Sequence, residues 1–151
     1  MKNLVLIPFM LLAFSFTSCD GEKVMKTMLW GFNKMAGEGY FPSNEILALG
    51  EFEGAEVQVS KIYADGQNES TIELRLHNGK SPTLRFSEEN IARKCAELYT
   101  LGYSKIKDYK TIKISFIQTD PYNIENFAVS EYSFDVGDLL NNPTPENYGF
   151  Q

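Results

Sequence analysis

The sequence predicts an α+β domain: an antiparallel sheet of about five strands, in the order helix, three-strand meander, helix, two strands, with two helices packed on one face. Three observations lead there. Apolar residues recur every three or four positions over 22–36 and 87–102, the spacing of a helix with one buried face. They recur every second position between 55 and 86 and again between 111 and 136, the period of a half-buried strand. Asp65-Gly66 and Asn78-Gly79 separate the first three alternating runs with residues that tolerate positive φ, so those runs most simply reverse as an antiparallel meander. A chain that is 43% hydrophobic and 13% aromatic can fill such a core, which excludes a disordered or low-complexity polymer.

In chain order, the first helix carries Val24, Met25, Met28, Leu29, Phe32 and Met35 on one stripe. Residues 37–54 are glycine-rich and hold Pro42 and Ser43; within them Ile46-Leu47-Ala48-Leu49 reads equally as a helical turn or an edge strand. Val57 and Val59 mark the first strand, Ile72, Leu74 and Leu76 the second, and Leu84 and Phe86 the third. Pro82 stands at the start of that third strand, where no ladder hydrogen bond is lost. Ser87 is placed to cap the second helix, with Glu88 and Glu89 at its positive end and a stripe of Ile91, Cys95, Leu98 and Tyr99 that ends near Gly102. The last two strands cover 111–119, with Ile112, Ile114 and Phe116, and about 126–136, with Phe127, Val129, Tyr132, Phe134 and Val136. A phase slip between Val129 and Tyr132 predicts a bulge in the latter. Residues 141–151, with Pro143 and Pro145, read as an extended tail.

The N-terminus has a different grammar. Lys2 precedes an apolar run over 4–16 and then the small residues Thr17 and Ser18, the order of a secretion signal, and the run is shorter than the roughly 18–20 residues a membrane-spanning helix needs. Phe16-Thr17-Ser18-Cys19 resembles the lipobox of bacterial lipoproteins, although Phe16 stands where that motif usually has an aliphatic residue. The resemblance covers about the first 20 residues. It implies lipidation of Cys19 and cleavage before it, hence a signal peptide at 1–18, an anchor and short tether at 19–22, a single α+β domain at 23–140 and the tail at 141–151. It further implies a protein held by lipid in the bacterial cell envelope, periplasmic-facing or on the cell surface, with the choice of membrane left open by Asp20 and Glu22. So short a tether spans only about 10–15 Å, which keeps the domain close to the bilayer. With Cys19 lipidated, Cys95 has no disulfide partner and stability must come from the core.

Charge narrows the partners. The formal net charge is −6, and loss of Lys2 makes it one unit more negative, so nucleic acid is not expected as a partner. A basic protein partner is compatible with it. The first helix also places Trp30 at helical spacing with Lys23, Lys26 and Lys34, opposite the methionine stripe and beside the anchor; this face is the candidate for contact with the membrane interface or a partner. The alternative is that Trp30 packs beneath residues 37–54.

Residues for catalysis are sparse. The single histidine, His77, shares strand parity with Thr71, Glu73 and Arg75 beside a turn, and reads as solvated. Cys95 lies on the apolar stripe of its helix and reads as a small buried hydrophobe, facing away from His77. Residues 65–70 hold oxygen ligands, but their order does not match a calcium loop, and no histidine or cysteine pair stands at metal-ligand spacing, so neither metal nor cofactor is expected. Glu51 and Glu53 share a face if that segment is extended, the minimum for a pair of catalytic carboxylates. These readings favour a non-catalytic binding or interaction module of the envelope, with an envelope protein as partner. Two alternatives remain open, an inhibitor or immunity-type protein that binds a basic enzyme, and a carboxylate-based hydrolase of envelope polymers.

Overall fold

The structure, a computed structural model, describes residues 30–142 apart from 33, 65 and 66. The expectations for the signal peptide, Cys19, Lys23, Lys26, the Asp65-Gly66 reversal and the tail from Pro143 onward lie outside those residues. The described residues fall into two compact units divided between Ala36 and Gly37. In the first, residues 30–32 and 34–36 are helical, which is the end expected for the first helix. Met35, assigned to the buried stripe, is 80% exposed on that last turn.

The second unit begins with a glycine whose φ of 104° no helix allows. Ser43 is extended, and its hydroxyl accepts the Ile46 N–H at 3.4 Å, so the ambiguous Ile46-Leu47-Ala48-Leu49 run is helical: α1, Asn44–Gly50. Glu51 closes the helix in the left-handed region, at φ 51°, with the Phe52 N–H returning to the Leu47 carbonyl at 2.9 Å. Strand β1, Gly54–Ser60, then leads through a short ladder of β2, Tyr63–Ala64, with β3, Gln67–Asn68, into β4, Thr71–His77. After β4 come α2, Leu84–Gly102, a 3₁₀ turn at Ile106–Asp108, β5, Thr111–Asp120, β6, Asn123–Asp135, and α3, Val136–Asn141. The class is mixed α+β with a four-stranded sheet in the order β1-β4-β5-β6.

Four details differ from the sequence expectation. First, Leu84 and Phe86 are not a strand. Pro82 sits in a turn ahead of the Thr83 N-cap, and the run is the first turn of α2; two alternating residues are too few to define a period, and Phe86 is left 87% exposed. Ser87 leaves helical geometry, at φ −145° and ψ 37°, at the position expected for the cap, so a single turn is fused to the longer helix behind it. Second, the sheet is not all antiparallel. With no third meander strand, α2 serves as the crossover and β5 pairs with β4 in parallel, Ile72 against Ile112 and Leu76 against Phe116. Third, the expected bulge is absent between Val129 and Tyr132, where the β5–β6 register runs on without a break; the shift lies at Thr119/Asp120. Fourth, the chain after Asp135 turns into α3, because the Asp135 carboxylate accepts the Asp138 N–H at 3.0 Å and starts a helix that buries Val136 and Leu139.

The core lies on one face of the sheet. Ile72, Leu74 and Leu76 of β4 and Ile112, Ile114 and Phe116 of β5 meet Ile91, Ala92, Cys95, Ala96 and Tyr99 of α2 in one apolar cluster, closed at its ends by Ile46, Phe52 and Leu139. Alternate residues of the same strands form the opposite face, where polar and charged side chains predominate.

Candidate functional site

The most distinctive surface arises where β4 stops. His77 is the last residue of β4, and Asn78 turns the chain away at φ 50°, in a region asparagine tolerates better than most residues. Asn78 then replaces the missing strand. Its N–H donates to the Ile117 carbonyl at 2.8 Å, its side-chain carbonyl accepts the Thr119 N–H at 3.0 Å, and its amide donates to Glu53 at 2.8 Å. Beyond this brace β5 and β6 continue as a two-stranded arm. At the tip, Asp120 accepts the Tyr122 N–H at 2.8 Å and Asn123 the Glu125 N–H at 3.1 Å, local bonds that hold the turn around Pro121.

The arm is apolar and open to solvent. Tyr122 is 98%, Ile124 82%, Phe127 62% and Val129 42% exposed. Pairing explains the change of side along β6. Tyr132 and Phe134 lie opposite Ile114 and Ile112 on the helix-covered face, whereas Val129 and Phe127 lie opposite Ile117 and Thr119 on the other face. The phase slip in the sequence therefore marks the residue where apolar side chains pass from the covered face to the open one. It is the signal by which this surface could have been found.

Next to the arm, the open face carries a closed set of ion pairs. Lys113 lies 2.6 Å from Glu131 and 4.0 Å from Glu73, Ser115 donates to Glu73 at 2.6 Å, and Arg75 lies 3.6 Å from Glu56. His77 Nε2 is 3.6 Å from Glu56, beyond hydrogen-bond reach. Ser115 is buried with its hydroxyl committed to Glu73, so it presents no free nucleophile.

The remaining sequence candidates are dispersed. Glu51 and Glu53 do not lie on one strand face, because Glu51 ends α1 in the left-handed region. Glu53 is held by Lys80 at 2.9 Å and by Asn78, and these hydrogen bonds lower its carboxyl pKa, the opposite of what a general acid needs. Its place is in the brace. Cys95 is fully buried under α2, where burial pushes its thiol up to about 12, while His77 lies on the other side of the sheet. Trp30 is exposed in the first unit, with the Lys34 ammonium 5.4 Å from its ring centroid. Among the described residues no group of three or more His, Cys, Asp or Glu side chains is placed to hold a metal ion, and no helix is long and apolar enough to cross a membrane.

Tyrosines form a second cluster. The Tyr99 hydroxyl donates to the Tyr40 carbonyl at 2.6 Å, and the Tyr103 ring packs between those of Tyr40, Tyr99 and Tyr109. Burial raises Tyr99 and Tyr103 far above the ordinary phenol value, so neither supplies a phenolate near neutral pH. Beside them a groove of about 710 Å³ is lined by Phe41, Ile46, Leu98 and Leu101 with the carboxylates Glu38 and Glu45; none of its lining residues is a histidine, cysteine or cation.

In comparisons with protein-family models, with curated proteins and with solved structures, nothing matches this chain.

Proposed function

We propose that this chain is a lipid-anchored protein of the bacterial envelope that acts without catalysis, as a binding module whose projecting β5–β6 arm engages a protein partner close to the membrane. The observation that carries this reading is the arm itself, four large apolar side chains exposed on a braced ribbon that adds nothing to the core. Exposed apolar residues held in a fixed geometry are the usual form of a docking surface, and tyrosine is favoured at its centre. Charge argues for a protein with a cationic surface over a lipid bilayer. Residues 118–131 carry Asp120, Glu125 and Glu131 and no Lys or Arg, and an anionic bilayer would repel them.

The anchor is Cys19, and Trp30 with Lys34, Lys23 and Lys26 forms the face that meets the membrane, indole at headgroup level and ammonium groups near anionic lipid. The arm then serves the partner and the first helix the bilayer.

A photo-crosslinking amino acid in place of Tyr122, in the full chain in its native membranes, tests the reading. The expected result is one recurring protein adduct whose yield falls about tenfold on Ile124→Ser, with the thermal midpoint unchanged. Absence of a protein adduct, or a yield indifferent to Ile124→Ser, overturns the binding role. Cys19→Ala is expected to release the chain from the membrane fraction, and retention would overturn the anchor. Blue-shifted Trp30 fluorescence on adding anionic vesicles checks the membrane-facing helix; an unchanged spectrum removes that assignment.

A further inference from the structure

We infer that the outer edge of β6 is a strand-addition site for an extended, basic segment of the partner protein. This deepens the binding role proposed above and rests on it. The sheet order leaves β6 at an edge, and among the described residues no strand pairs with its outer side. Every second residue of such a strand directs its N–H and C=O outward, a template for another chain. Soluble proteins usually spoil that template with proline, lysine, a bulge or a short strand. Here the edge strand runs from Asn123 to Asp135 with neither proline nor lysine, and its register is unbroken from Phe127 to Asp135. The length of regular edge is the first observation.

The second is charge. Within Asn123–Asp135 the ionisable groups other than Tyr132 are Glu125, Glu131 and Asp135, all acidic. On the helix side of the strand the carboxylates Glu88 and Glu89 lie near enough to the Tyr132 hydroxyl to add to the rise that burial gives its pKa. The cation paired to this strand, Lys113, is already engaged by Glu131 and Glu73. An added strand therefore meets carboxylates above and below the sheet plane. The opposite edge offers a weaker field, because β1 carries one carboxylate, Glu56, with the Arg75 guanidinium 3.6 Å from it. A second copy of this chain is a poor occupant, since two β6 edges would bring six carboxylates together with no cation on either strand.

The occupant fixed by these observations is an extended segment with lysine or arginine at alternate positions and apolar residues between them. Its main chain pairs with β6; its basic side chains stand on the open face, beside Glu131 and Glu125, and its apolar ones fall on the helix side, beside Tyr132 and Phe134. Backbone pairing supplies affinity and alternating side chains supply selection.

The test uses the full chain in zwitterionic micelles, labelled with ¹⁵N at valine and phenylalanine, and a blocked peptide of alternating lysine and valine as the probe. Binding is expected to shift and protect the amides of Phe127 and Val129, which point away from β5, and to leave the protection of Phe134, already paired with Ile112, unchanged. The same peptide N-methylated at alternate amides should fail to bind, and the double variant Glu125→Gln, Glu131→Gln should weaken binding about tenfold. Shifts at Val57 and Val59 in place of β6, equal binding by the N-methylated peptide, or no binding at about 1 mM peptide each overturn the inference. So does the double variant self-associating while the unaltered chain ignores the peptide, for then the carboxylates only keep copies apart. If edge binding fails while Tyr122-position crosslinks persist, only this inference falls; if crosslinks vanish while the peptide still binds, the proposed partner docking falls.

Discussion

Over 111–117, β5 is flanked by β4 on one side and β6 on the other, and Ile112, Ile114 and Phe116 are buried beneath α2. Over 118–120 the same strand keeps only β6, and the apolar residues of the arm, Tyr122, Ile124 and Phe127, stand in water. One ribbon thus contains a covered end and a bare end of similar apolar content. Burial, at about 25 cal/mol per Å² removed from water, rewards only the first. Side chains that contribute nothing to stability at the bare end are free to be selected for something else.

The contrast can be broken or sharpened by substitution. At the covered end, Ile114→Ala removes a fully buried side chain and is expected to cost about 2–5 kcal/mol in urea unfolding. A loss below about 1 kcal/mol would mean that α2 does not seal that end. The next effect is set by alkaline pH. Tyr99 and Tyr103 have folded pKa values above the unfolded value of about 10, so unfolded chains lose these protons first. Their contribution is complete below about pH 10 and is lost as pH rises beyond it. Stability measured from pH 8 to pH 11 should fall steeply, and less steeply in Tyr99→Phe; a phenol absorbance step near pH 10 in folded protein that disappears in Tyr99→Phe would contradict this.

At the junction of the two ends, Asn78→Ala is expected to cost about 1–3 kcal/mol, since it strips the Thr119 N–H of its partner, leaves Glu53 with Lys80 alone and puts alanine at positive φ. Hydrogen exchange over 118–128 should accelerate more than over 111–117; a uniform acceleration would show that Asn78 braces the whole sheet. The smallest effect belongs to the bare end, where Ile124→Ser should change stability by no more than about 0.5 kcal/mol. A larger loss would place Ile124 in a packed environment and remove the contrast.

What could be read beforehand follows the same division. Ile72, Leu74 and Leu76, and Ile112, Ile114 and Phe116, announce themselves because burial on one face imposes a period of two on each strand. Cys95 on its stripe was legible for the same reason, whereas His77, which reads as solvated, has its Nε2 buried without a hydrogen-bond partner. Parallel pairing of β4 with β5 was not, because strand direction depends on the α2 crossover and leaves no mark in either strand. Leu84 and Phe86 look like a strand fragment only because one helical turn is too short to show its own period. The arm was half legible: the break in phase after Val129 is visible in the sequence, but it reads as a bulge until the pairing shows that no residue is inserted.

The parallel seam also bears on the time order of folding. β1 and β4 are near neighbours in sequence and β5 and β6 share a tight turn, so each pair can close locally, within the microseconds typical of hairpins. The β4–β5 seam cannot close until the whole stretch 78–110 has looped back, an entropy cost met before any contact across the seam compensates it. Two preformed ribbons joined late through α2 are the expected route, with the seam as the slow step. In stopped-flow refolding, Val57→Ala should then slow folding by nearly its whole stability cost and Ile112→Val by only part of its own, and until the seam closes both inner strands remain edges.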